Sequence, residues 1–172
     1  MTVSEGRGEH APSPIAVPLS RSDIIVILDE ADRRFDFRQY GNSGDAWKNG
    51  FLEGFELLGR QVRRGVVPIM SGLVGEYATR LYITSRFPNS CSLDLSLSQT
   101  GDGGTDLKPY GLGIDVKTRT ANYRTNLVRT EDNKGRSLTL FANAYVFATW
   151  KRDWTAHLRG WAWRKSVVTW KR

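Results

Sequence analysis

The stretch "GDGGTDLKPYGLGIDVKTRT", residues 101–120, contains the most informative pattern in the chain, with five glycines, three aspartates and three basic residues in twenty positions. Its second half, "GIDVKTR", reads as a β-strand. Because side chains alternate along a strand, Asp115, Lys117 and Arg119 share one face, and the other face is mainly apolar. The segment therefore predicts a half-buried strand with one charged face.

A Pro/Gly turn separates this strand from "TDLKP", which is predicted to be its partner strand. Asp106 and Asp115 then come opposite or diagonal to each other, within about 8 Å. Two carboxylates this close repel unless a cation lies between them. An oxygen-only ligand set favours Mg²⁺ or Mn²⁺, and Lys117 places a positive charge beside that ion.

The rest of the chain predicts helices followed by strands. Ser22 can cap a helix that extends past Phe35, because apolar residues recur there at helical spacing. Further helices are predicted at about 45–64 and 68–85, and strands at 92–98, in "AYVFATW" and in "AHLRGWAW". The expected fold class is α/β (or α+β): a mixed sheet of four to five strands flanked by helices, with the first two helices as an added N-terminal layer.

The charge is unevenly distributed. The formal net charge is +7, but residues 117–172 alone hold 13 basic and 3 acidic side chains. Five of the six tryptophans lie among the basic residues from Trp150 onward. Cations release phosphate counterions and flat rings stack on bases, so this segment favours a polyanion, with DNA as the expected partner. Solvated charges around core tryptophans are the alternative reading.

Several other classes are disfavoured. Asp29 and Glu30 follow an apolar run, as in nucleotide hydrolases, but the chain has no Gly-Lys pair for a phosphate-binding loop. The single Cys91 excludes an internal disulfide, and two histidines offer no acyl-transfer constellation. No apolar run is long enough for a membrane span. Residues 1–20 resemble a flexible arm and no secretory signal, so an intracellular location is expected: cytoplasmic, or the host cytoplasm if the protein is phage-encoded.

Asp106 followed by "IDVK", after a helix with "GEYA", resembles the PD-(D/E)XK nuclease superfamily over roughly residues 70–165. That resemblance implies a restriction-endonuclease-like fold for one domain, 21–172, with Asp106 and Asp115 as metal ligands and the Val116 carbonyl as a third. It implies Lys117 as the catalytic lysine and Glu76 as an acid that reaches the metal through water. Thr105 stands where the family carries proline, so Asp102 is a rival first ligand.

The implied activity is metal-dependent hydrolysis of DNA phosphodiesters, by an endonuclease or junction resolvase and possibly a homodimer. The expected DNA contacts are Arg119, Arg159, Arg164 and Lys165. Three alternatives stay open. Asp115 and Lys117 could form only a surface ion pair. The domain could bind nucleic acid without cleaving it, or the basic segment could contact an acidic protein.

Overall fold

A four-stranded mixed sheet lies at the centre of the fold. The computed structural model describes residues 13–41, 55–62, 65–91, 105–120 and 139–167, together with 128 and 134. In chain order the elements are β1 (Ile15–Pro18), α1 (Arg21–Gly41), β2 (Phe55–Leu57), β3 (Arg60–Val62), α2 (Val67–Arg86), β4 (Ile114–Arg119), β5 (Ala144–Trp150) and β6 (Thr155–Trp163). Short 3₁₀ turns cover Pro109–Gly111 and Arg164–Ser166.

The strand order in the sheet is β1-β6-β5-β4. β5 pairs in parallel with β4 and antiparallel with β6, and β6 pairs antiparallel with β1. The parallel pairing requires a crossover connection between the end of β4 and the start of β5. The prediction of a mixed α/β (α+β) sheet with four to five strands is therefore confirmed at the level of fold class.

The predicted flexible arm at 1–20 is wrong for its last residues. Ile15–Pro18 form β1, which pairs with β6 from Ile15–Leu158 to Pro18–Thr155. Val17 and Leu19 are buried, and the Leu19 amide donates to the Trp154 carbonyl at 2.8 Å. Burial of these apolar side chains stabilises the segment in its place beside β6. Pro18 is tolerated because β1 is an edge strand. Residues 1–12 lie outside the described residues.

The first helix begins one residue after Ser20, so Ser20 is its cap and the predicted Ser22 is not. The Ser20 Oγ accepts from the Asp23 amide at 3.1 Å, and the Asp23 carboxylate accepts from the Ser20 amide at 2.9 Å. This reciprocal pair is a capping box. Further along α1, Glu30 is buried and forms ion pairs with Arg33 and Arg34 of the same helix. These ion pairs are therefore local to α1.

The predicted helix at 45–64 is wrong over its second half, where β2 and β3 form an antiparallel hairpin. Leu58 and Gly59, the two turn residues, have φ of 56° and 75°. Positive φ at both positions matches the hairpin twist of a type I′ turn and is incompatible with a continuing helix. Arg60 holds the hairpin to α1 through Asp29 at 2.6 Å and Asp32 at 3.3 Å. Residues 45–54 lie outside the described part.

The prediction of a helix at 68–85 is confirmed by α2, which packs on one face of the sheet and carries α1 on its other side. Gly75 of α2 lies directly against Val116 and Thr118 of β4. The opposite face of β4 carries Asp115 and Lys117. The predicted strand at 92–98 falls outside the described residues. Neither α1 nor α2 combines the length and hydropathy needed to cross a bilayer.

Candidate metal and phosphate site

The loop before β4 places Asp106 close to Asp115. Leu107 and Ile114 exchange backbone hydrogen bonds of 2.8 and 3.1 Å, an isolated antiparallel bridge in place of the predicted full strand pair. The Asp106 amide also donates to the Ile114 carbonyl, at 2.7 Å, so Asp106 lies beside the start of β4. The chain reverses between them through Tyr110 and Gly111, which have φ of 49° and 81°. This turn therefore produces the juxtaposition predicted from the sequence.

The Asp106 carboxylate is held against the backbone of β4. Its Oδ2 accepts a hydrogen bond from the Val116 amide at 2.5 Å. Because that amide nitrogen is bonded to the carbonyl carbon of Asp115, the Asp106 oxygen lies at most about 5 Å from the Asp115 Cα. The side chain thus takes the place of a backbone acceptor at the point where the bridge ends.

The carbonyl of Val116 points toward the same edge of β4 as its amide. In an extended strand the N–H and C=O of one residue point the same way. Ile114 shows this directly, since both of its backbone groups bond Leu107. Two residues on, Val116 directs its groups to the same side, where its amide meets Asp106. A carboxylate and a carbonyl oxygen therefore converge at this edge.

Asp115 and Lys117 form an ion pair on the opposite face from α2. The Lys117 Nζ lies 2.7 Å from an Asp115 carboxylate oxygen, and their side chains are 42% and 15% exposed. The ion pair that the sequence analysis named as an alternative for these two residues is therefore formed. With one partner this exposed, the pair contributes about 1 kcal/mol or less to stability. The contact also keeps the ammonium group beside the Asp115 carboxylate.

Tyr145 is a member of the site that the sequence reasoning missed. It pairs with Asp115 in the parallel register of β4 and β5, so the two side chains share a face. Burial raises the pKa of the Tyr145 phenol, and the Asp115 carboxylate adds to that rise, while Lys117 and Arg164 oppose it. No local sequence signal marks this tyrosine, because its position depends on the register between two strands far apart in the chain.

Glu76 is placed on α2, which packs against the other face of β4. The structure does not group it with Asp106 and Asp115: among the described residues, no three His, Cys, Asp or Glu side chains lie close enough to hold a metal ion together. Its assignment as an auxiliary acid stays a prediction. Asp102, the rival first ligand, falls outside the described residues.

The predicted DNA-contacting residues lie on three elements. Arg119 ends β4, on the face of Asp115 and Lys117. Arg159 lies where the pairing of β5 and β6 is irregular. Arg164 and Lys165 are exposed in the 3₁₀ turn after β6, and the Arg164 guanidinium donates to the Leu140 carbonyl at 3.0 Å.

The oxygen donors at the edge of β4 fit a hard divalent cation. Two carboxylates and one backbone carbonyl are the ligand types that Mg²⁺ and Mn²⁺ prefer, and Mg²⁺ commonly takes its other ligands from water and phosphate. No family model, curated protein or solved structure matches the chain. The interpretation of the site therefore depends on its own geometry and chemistry.

Proposed function

We propose that the protein is a metal-dependent deoxyribonuclease of the PD-(D/E)XK type, acting as an endonuclease or junction resolvase. One observation carries the proposal: the Asp106 carboxylate is bound to the Val116 amide at 2.5 Å, directly beside the Asp115–Lys117 pair. An acid from a loop and an acid and lysine from the adjoining strand are thus brought together by the fold. A restriction-endonuclease-like arrangement of the sheet belongs to the same proposal.

In this proposal Asp106, Asp115 and the Val116 carbonyl hold Mg²⁺ or Mn²⁺. The bound ion polarises the phosphate and stabilises negative charge on its oxygens. Lys117 orients the attacking water and donates to the oxygen on which charge develops, because its ammonium lies 2.7 Å from the Asp115 carboxylate. Asp115 in turn fixes the position of that ammonium. Glu76 is retained only as an auxiliary acid.

The surrounding charge suits DNA as the partner. Residues 117–172 hold 13 basic and 3 acidic side chains, and contacts from Arg119, Arg159, Arg164 and Lys165 to backbone phosphates would supply affinity without reading sequence. A homodimer would allow both strands to be cut. An intracellular location accords with such a substrate.

A second candidate function is nucleic-acid binding without cleavage. It is favoured by the Asp115–Lys117 ion pair, which neutralises both groups within a single strand. The proximity of Asp106 favours cleavage instead, since binding alone does not require a second carboxylate facing the phosphate.

The deciding experiment compares Lys117→Ala with Lys151→Ala, a matched control at an exposed lysine of the β5–β6 turn. With plasmid and linear DNA in Mg²⁺ or Mn²⁺, Lys117→Ala should cleave at least about 100-fold more slowly and bind DNA within a few-fold of wild type, because the lysine acts on the transition state. Lys151→Ala should cleave normally. Wild-type cleavage by Lys117→Ala would refute the site, and metal-independent binding with no cleavage by wild type would establish the second candidate.

A further inference from the structure

The sheet end that begins β4 also carries a group of exposed aromatic and basic side chains. Ala144 pairs with Trp163 in the last row of the sheet, and Arg164 is tied to the preceding segment by bonds to Asn143 and Leu140. These contacts bring the segments 139–144 and 159–167 together. We name the exposed group the aromatic corner; its members are Phe141, Trp161, Trp163, Arg164 and Lys165.

A β-bulge sets the face of the sheet from which both tryptophans project. Between Phe147 and Ala148 the register shifts from Gly160 to Leu158, so β6 carries one extra residue there. Without that residue Trp161 would lie opposite Tyr145, on the face of Asp115. With it, the small Ala162 lies opposite Tyr145, and both tryptophans project from the other face. The bulge thus keeps both indole side chains on the face opposite the Asp115 carboxylate.

The tryptophans are not core residues. Trp161 and Trp163 are 61% and 40% exposed, with ring centroids 5.1 Å apart and planes at 86°. Phe141 is exposed as well. Within 139–144 and 159–167 the chain has no acidic residue, while Arg159, Arg164 and Lys165 are basic. Exposed flat rings among cations suit a ligand that has both negative charge and flat apolar faces.

We propose that the aromatic corner binds unpaired nucleotides, whose bases stack on Trp161 and Trp163 while Arg164 and Lys165 contact the phosphates. A paired duplex hides its base faces, so stacking of this kind selects single strands, flaps or junction arms. At this sheet end β4 and β6 are two strand spacings apart, about 10 Å, and the tryptophans lie on the face opposite Asp115 and Lys117, so a bound strand would pass around the sheet end to reach both. Combined with the proposed function, on which this step depends, the substrate is DNA with unpaired nucleotides within a few nucleotides of the cleaved phosphate.

The test measures binding of fluorescent dT20 and of a 20-base-pair duplex by anisotropy, in chelator and at one fixed low salt concentration. The double variant Trp161→Ala/Trp163→Ala should lose at least about 10-fold in affinity for dT20 and stay within about 3-fold for the duplex. Trp154→Ala is the matched control, since Trp154 is 43% exposed beside Lys151 and Arg152 at the opposite end of the sheet. It should bind both probes as wild type does.

Two replacement series separate stacking from other roles of these rings. Phenylalanine at both positions should restore most of the dT20 affinity, whereas leucine should not. Restoration by leucine, unchanged dT20 binding by the alanine variant, or equal losses for the two probes would overturn the proposal. So would a monomer–dimer shift that accounts for the loss, or binding of anionic phospholipid vesicles in place of dT20.

The outcome is distinguishable from that of the nuclease proposal. All binding is measured without metal. If the wild-type protein binds dT20 through the two tryptophans but never cleaves DNA, the proposal for the aromatic corner stands and the nuclease proposal is refuted. Cleavage that depends on Lys117 together with intact dT20 binding by the alanine variant would do the reverse.

Discussion

Asp106 is the residue at which structure and proposed chemistry meet. Its carboxylate satisfies the Val116 amide where the backbone pairing of the loop and β4 ends, and it also brings negative charge close to Asp115. The first role needs only an acceptor oxygen, whereas the second needs the charge. Replacement by asparagine and by alanine therefore separates the two roles.

In chelator, Asp106→Asn should unfold close to wild type or slightly higher, because its amide oxygen can still accept from Val116 while the repulsion with Asp115 is removed. Asp106→Ala leaves that amide without this acceptor and should cost about 1–3 kcal/mol, several degrees in melting temperature. In saturating Mn²⁺ wild type should melt higher, and both variants should lose most of that rise. A full Mn²⁺ response in Asp106→Asn would exclude Asp106 as a ligand and leave Asp102 as the candidate.

At the scale of elements, the position of β4 depends on how closely α2 approaches it. Gly75 faces Thr118 and Val116, and a Cβ at this residue would overlap the Thr118 side chain. Gly72 lies one turn earlier in α2. A Cβ added there would have no neighbour closer than 3.9 Å. Packing therefore requires glycine at position 75 but not at position 72.

Gly75→Ala should destabilise the protein by about 1–3 kcal/mol, because helix and strand must separate to admit the methyl group. Gly72→Ala is the matched control and should stabilise α2 by about 0.5–1 kcal/mol, as alanine loses less backbone entropy in a helix. Chemical denaturation of the two variants measures both signs. A neutral or stabilising Gly75→Ala would contradict the close packing of α2 on β4.

For the molecule as a whole, three buried or half-buried groups, two phenols and one thiol, make the free energy of unfolding depend on pH in the alkaline range. Burial is the main cause that raises the pKa of Tyr77, Tyr145 and Cys91 above their usual values of 10.0, 10.0 and 9.0. For Tyr145 the Asp115 carboxylate adds to the rise, and for Tyr77 the acids Asp23, Glu30 and Glu76 do so. Each group therefore remains protonated in the folded state at a pH where the unfolded chain has lost that proton.

Below about pH 9 these groups should not affect the free energy of unfolding. As pH rises further, that free energy should fall, first because Cys91 ionises in the unfolded chain and, from about pH 10, because the tyrosines do. Fewer protons on the unfolded chain give this negative slope. Tyr77→Phe and Tyr145→Phe should each make the slope above pH 10 shallower, with no change in slope between pH 7 and 9. Urea unfolding across the pH range measures this, and an unchanged slope in the double variant would contradict the burial of both phenols.

Elements with a local sequence signal could be predicted without the structure. Helix α2 has a sustained apolar stripe after Pro68, and β4 alternates Ile114, Val116 and Thr118 with three charged residues, so each was predicted within a residue or two of its bounds. The proximity of Asp106 to Asp115 was also predictable, because the Pro/Gly turn between them favours a reversal of the chain.

Other features depend on contacts between residues far apart in the chain, and no local pattern predicts them. The hairpin at 55–62 was hidden in a helix-like apolar pattern, and only the left-handed turn at Leu58 and Gly59 distinguishes it. β1 is a strand because β6 offers a free edge, and Tyr145 joins the site because β5 pairs in parallel with β4. The bulge in β6 reverses the faces of Trp161 and Trp163. Periodicity specifies which side chains share a face, but which partner covers that face depends on strand pairing, and pairing energies belong to residues far apart in the chain.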